Sequence, residues 1–219
     1  MAGDQLLSGK TIIVAGADCA FGREVTRAVS GQGATVLVLD EDDAALLALS
    51  RNAPRLIEHL AMPMDSASGI DTLGRIWDAE PIDCLVLLQS LRMARRPGTA
   101  VKSMLLLARA LQPGLAAARG CVVTVIRASA PGSDPVRLSA EAAQMRMSSV
   151  LPDQFAPLGV RVNTMRLTAS ADTSPGQGAI DALIHLAGDR EDGLHGSILA
   201  FAEPASTSGP VVDDPNASA

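Results

Sequence analysis

Short apolar runs alternate with helix-patterned runs along this 219-residue chain, and that alternation leaves few folds open. Thr11–Ala15 (TIIVA), Thr35–Leu39 (TVLVL), Cys84–Leu88 (CLVLL) and Cys121–Ile126 read as strands apolar on both faces. A weaker strand is expected over Ile57–Met62, and two more over Val160–Met165 and Ser197–Phe201. Helical spacing covers Phe21–Gly31, Asp43–Arg51, Gly69–Ala79, Val101–Ala118 and Ala179–Ala187. A further helix opens with Asp134 as N-cap and Pro135 at the first helical position, and runs toward Phe155. Pro152 is expected to bend that helix or end it early. Strands apolar on both faces, each followed by a helix, imply a parallel sheet covered on both sides. The reading is an α/β, doubly wound sheet of about seven strands in one domain over residues 1–203. Residues 204–219, rich in Pro, Ser, Ala and Asp, read as a polar tail.

Composition narrows the function. Hydrophobic residues make up 47%, enough for a core in a chain of this length. Aromatic residues reach only 2%: Phe21, Trp77, Phe155 and Phe201, with no tyrosine. The core must therefore come from Ala, Val, Leu, Ile and Met. So few rings leave little for base stacking, and a net charge of −6 repels a phosphate backbone, so no nucleic-acid partner is expected. No run of eighteen apolar residues occurs, so no membrane span is expected. The polar opening MAGDQLLSGK does not read as a signal peptide, and a cytoplasmic location is expected. Cys19, Cys84 and Cys121 lack metal-ligand spacing and read as inert thiols; no metal is expected.

The loop Val14-Ala15-Gly16-Ala17-Asp18-Cys19-Ala20-Phe21-Gly22 joins the first strand to the first helix, where glycines let a backbone approach a pyrophosphate. Asp40 closes the second strand, where a carboxylate can accept hydrogen bonds from an adenosine ribose. Asp65 follows the third strand. Ala156-Pro157-Leu158-Gly159-Val160-Arg161-Val162-Asn163 leads into the sixth, and His185-Leu186-Ala187-Gly188-Asp189 with Leu194-His195-Gly196-Ser197 leads into the seventh. In these segments the chain resembles the short-chain dehydrogenase/reductase family over most of its length. The resemblance implies a Rossmann-like fold, and it implies cofactor contacts at Gly16, Ala20, Gly22, Asp40 and Asp65 in vestigial form.

The departures fall on the chemistry. Ala20 replaces the middle glycine of the family's loop, and its methyl crowds the phosphates. Leu87-Leu88-Gln89-Ser90 stands where the family has Asn-Asn-Ala-Gly. The catalytic asparagine aligns with Ala100, and the catalytic serine with Arg127, Ser129 being a displaced alternative. The tyrosine aligns with Arg137 and the lysine with Glu141. Leu167-Thr168 replaces Pro-Gly, and the short stretch Ala169–Gly178 replaces a longer substrate loop. A guanidinium cannot deliver a proton near neutral pH, so no catalytic residue is assigned.

The expectation is a catalytically inactive subunit that requires no cofactor, NAD binding at most weakly. It is expected to assemble with an active, homologous NAD-dependent dehydrogenase subunit, or with copies of itself. The helix Val101–Ala118, apolar nearly all round, is expected to bury its outer face in that assembly. Two other readings stand beside this one: a nucleotide- or acyl-CoA-binding module, and an oxidoreductase with atypical catalytic residues. Arg127, Arg137 and Arg166, with Arg92, Arg95 and Arg96 nearby, are expected at strand ends where they could hold an anion. Arg137 and Glu141, four apart on one helix, are expected to pair across a turn.

Overall fold

A computed structural model of the chain describes residues 5–78, 80–92, 96–129, 132–168, 176–188 and 193–202. The seven strands β1 (Thr11–Ala15), β2 (Thr35–Asp40), β3 (Ile57–Ala61), β4 (Cys84–Leu87), β5 (Cys121–Arg127), β6 (Arg161–Thr168) and β7 (Ile198–Ala202) form one sheet in the order β3-β2-β1-β4-β5-β6-β7. Every neighbouring pair is parallel. The doubly wound α/β architecture expected from the alternation is the one found. The central strands β1, β4 and β5 are almost wholly buried, as their two-sided apolar sequences require.

Among the described residues, eight α-helices make the crossovers: α1 (Ala20–Gly31), α2 (Asp43–Ser50), α3 (Ala67–Ile76), α4 (Gln89–Arg92), α5 (Pro97–Ala110), α6 (Gln112–Ala118), α7 (Pro135–Phe155) and α8 (Gln177–Ala187). Helices α1, α2 and α8 close one face of the sheet around Phe21, Val25, Leu46 and Leu183. Helices α3, α5, α6 and α7 close the other around Ile70, Met104, Leu115 and Phe155. Each fully buried Leu, Ile or Val side chain contributes about 1.5–3 kcal/mol, which lets a core poor in aromatics hold.

Two helical expectations are corrected. Val101–Ala118 is not one helix: α5 ends at Ala110, Leu111 turns with φ −94° and ψ 4°, and α6 begins at Gln112. Pro113 is the cause, since it has no N–H to donate to the Arg109 carbonyl one turn earlier. Pro152, conversely, neither ends α7 nor shortens it. It stands in the final turn, which closes when Ala156 N–H donates to the Pro152 carbonyl. As expected, Asp134 caps α7, its Oδ1 accepting from the N–H groups of Val136 and Arg137 at 2.9 and 3.0 Å. Residues 203–219 and 169–175 lie outside the described residues, so the tail and most of the shortened loop are not placed.

Candidate functional site

Strand order reverses between β1 and β4, which opens a crevice at their carboxyl ends, the place where sheets of this kind take ligands. Gly16 forms the floor of the crevice. Its φ is +84°, and a Cβ there would sit 3.0 Å from the Leu88 carbonyl carbon and 3.2 Å from the Gln89 nitrogen. Gly22, on the first turn of α1, lies so close to the loop that a Cβ would meet the Ala17 carbonyl oxygen at 2.5 Å. Ala20, by contrast, is exposed at the first position of α1. Cys19 caps that helix, its sulfur accepting from Gly22 N–H at 3.3 Å. Burial pushes the Cys19 thiol up despite this bond. The run Leu87-Leu88-Gln89-Ser90 is buried. Ser90 ties β4 to β5: its Oγ donates to the Val125 carbonyl at 2.9 Å and accepts from Arg127 N–H at 3.1 Å.

Asp40 ends β2 only 1% exposed, and its carboxylate is already occupied. Oδ2 accepts from Asp18 N–H at 2.9 Å, and Oδ1 accepts from Glu41 N–H at 2.7 Å. Arg92 lies alongside, with Nε 3.3 Å from Asp40 Oδ1 and Nη2 3.8 Å from Asp18 Oδ2. Arg23 completes the cluster through Nη1 at 2.9 Å from Asp18 Oδ1. Two carboxylates and two guanidiniums thus neutralise one another across the crevice. Asp65 sits apart, exposed in the turn that precedes α3.

On the other side of β4, Glu141 takes a partner that the sequence does not announce. Its Oε1 accepts from Arg166 Nε at 3.0 Å and from Nη2 at 2.7 Å, while Oε2 accepts from Ser129 N–H at 2.7 Å. The expected Arg137–Glu141 pair is replaced by this tie, which joins α7 to β6 and to the segment after β5. Burial alone would raise the Glu141 carboxyl, but the Ser129 N–H and the Arg166 guanidinium outweigh it and hold it below its ordinary value. Arg137 is exposed on the first turn of α7. Ala100 is wholly buried on α5.

The three arginines read as an anion site are divided by the pleat of the sheet. Arg127 shares the face of Val125 and Leu167, toward α1 and α8; Arg166 projects to the opposite face and meets α7. Arg166 is neutralised by Glu141, whereas Arg127 and Arg137 make no ion pair among the described residues. Arg95 lies outside the described residues, and Arg96 is exposed before α5.

Arg92 is the residue whose role the sequence hides, because only the strand order brings a helix after β4 within reach of β2. Asn163 and His195 also gain structural roles. Asn163 donates to the Leu194 carbonyl at 2.8 Å and accepts from Ser197 N–H at 3.1 Å. His195 Nδ1 accepts from Val162 N–H at 3.3 Å. Cys84 and Cys121 stand opposite one another on β4 and β5, and the Cys121 sulfur together with burial pushes the Cys84 thiol well up. No cluster of three or more metal-ligating side chains occurs among the described residues. Nor, among them, is any helix long and apolar enough to cross a membrane.

This single-domain, seven-stranded parallel architecture is the fold of the short-chain dehydrogenases/reductases. The crystal structure of a short-chain type dehydrogenase/reductase from Mycobacterium marinum superposes with a TM-score of 0.77 over 91% of this chain and 96% of that one, at 17% sequence identity. No protein-family model and no curated protein matches the sequence.

Proposed function

We propose that this chain is a catalytically inactive, short-chain dehydrogenase-like subunit that requires no cofactor of its own and supports an active homologous NAD-dependent partner. The observation that carries the reading is the state of Glu141. The position where the family's ammonium would stand holds a carboxylate, and both of its oxygens are committed to Ser129 and Arg166. Arg137 replaces the phenol, and the buried Ala100 offers no polar group.

Purified chain incubated with NAD or NADP and a panel of alcohols and ketones is expected to show no turnover above background. Turnover that stays with the chain through successive columns would overturn the inactive reading.

The assembly half of the proposal draws support from α7. Val136 is 64% exposed and Leu138 49%, both large apolar side chains on its first two turns. Beside them an open groove of about 500 Å3 runs between α5 and α7, lined by Gly98, Val101, Pro135, Val136, Ala140 and Ala143 among others. The outer α5 residues Leu105 and Leu106 are half-buried, so of these two helices it is α7, not Val101–Ala118, that leaves large apolar side chains exposed. Val136→Glu is expected to halve the mass of the native complex in light scattering while shifting stability by no more than about 0.5 kcal/mol, as surface substitutions do. A wild-type chain that sediments as a monomer and retains no dehydrogenase from its native cells would sink this half.

A further inference from the structure

We propose that Arg92 is a built-in stopper: its guanidinium occupies the place a nucleoside ribose would take at Asp40, and removing it opens that place. The sheet order supports this. Strands β2 and β4 flank β1, so a side chain that starts on α4 and ends against Asp40 must pass over the carboxyl end of β1. That is the mouth of the crevice, directly above the Gly16 loop.

The Asp40 carboxylate explains why the stopper holds. A carboxylate offers about four acceptor positions. Two are filled by Asp18 N–H and Glu41 N–H, and Arg92 lies 3.3 Å from Oδ1. With Arg92 in place the group is 1% exposed, so its remaining acceptor positions are screened from a ribose diol. Arg92 also removes the electrostatic reason to bind one, since it leaves Asp18, Asp40, Arg23 and Arg92 with no net charge.

Gly16 keeps its left-handed φ of +84°, and Gly22 keeps α1 tight against the loop. Asp18 would keep Arg23 at 2.9 Å after Arg92 is gone, so the loop retains an anchor. At the Asp40 end of the crevice, the side chain that stands in the way is Arg92. The inference needs only the geometry of the crevice and does not depend on the subunit reading.

The test is titration calorimetry with 5′-AMP, which engages the ribose end and asks nothing of the nicotinamide side. Wild-type chain is expected to show no saturable binding up to millimolar AMP. Arg92→Ala is expected to bind at least about tenfold more tightly, the scale set by hydrogen bonds from a diol to a charged carboxylate. Arg92→Gln, which preserves most of the side-chain volume, guards against loss of fold in the alanine variant and should gain binding in the same direction. Arg92→Lys, which keeps the charge, should gain none. A 2′,3′-dideoxy analogue of AMP should fail to bind the variants, because the diol is the group that replaces Arg92. The proposal is overturned if wild type already binds as tightly as the variants, if neither neutral variant gains affinity, or if the dideoxy analogue binds them equally well. None of these outcomes bears on turnover or assembly, which are read separately.

Discussion

Glu141→Lys is expected to lower the stability of the folded chain by about 2–4 kcal/mol. The new ammonium would face the Arg166 guanidinium, now 2.7 Å from Glu141 Oε1, and Ser129 N–H would lose its acceptor. The pairing is 13% exposed on the Glu141 side and 36% on the Arg166 side, so solvent screens part of the loss and the upper end of the range for a buried pair is not reached. Urea unfolding at pH 7 measures the change. The double substitution Arg137→Tyr with Glu141→Lys is expected to show no turnover either, because the new lysine would be repelled by Arg166. Detectable turnover in the double variant would mean that the tie at Glu141 is incidental.

The same contact predicts a pH signature. The folded carboxyl titrates below its unfolded value, so the stability it confers is fully present above about pH 4.3, the ordinary glutamate value, and is lost as pH falls through the folded value. The gap in urea midpoint between wild type and Glu141→Gln should therefore be widest at neutral pH and shrink below about pH 4. A gap that stays constant down to pH 3 would show that the charge of Glu141 contributes nothing.

Gly22→Ala is the second large effect, with an expected loss of about 3 kcal/mol or failure to fold. The added Cβ would meet the Ala17 carbonyl oxygen at 2.5 Å and the Ala17 carbonyl carbon at 2.9 Å. Both are backbone atoms of the β1–α1 loop, so relief requires moving the helix. Thermal melting measures the loss, and a melting temperature within a degree of wild type would show that α1 can slide outward at little cost. This glycine bears on function as well. Gly16 and Gly22 are both demanded by the chain's own backbone, one by a positive φ and the other by close approach. Ala20 is exposed, and nothing in the packing asks for glycine there. The loop has glycine at the two positions where its own backbone needs one, and an exposed alanine between them.

The sheet was legible because its central strands are apolar on both faces and short. β1 is found where TIIVA places it, and β2 and β5 differ from expectation by one residue at an end. The break between α5 and α6 was also written in the sequence, at Pro113, but the apolar run around it hid the interruption. Pro152 carried the opposite lesson, because a proline with one turn left costs a helix little. The cleft was legible in its residue types and not in its partners. Spacing on one helix suggests Arg137 for Glu141, yet Arg166 wins because β6 presents it on the face that α7 covers. Asp40 was correctly placed at the end of β2, but its contact with Arg92 depends on β1 lying between β2 and β4, which no local pattern encodes.

The Asp18–Arg23–Arg92–Asp40 cluster has a consequence for how the chain persists once made. A protein that leaves a cleft charge to be matched by a ligand gains stability in proportion to the logarithm of ligand concentration, and its folded population rises and falls with supply. Here the counter-ions are part of the polypeptide. The melting temperature should therefore stay level from zero to millimolar nucleotide. The folded population would then not follow the supply of nucleotide.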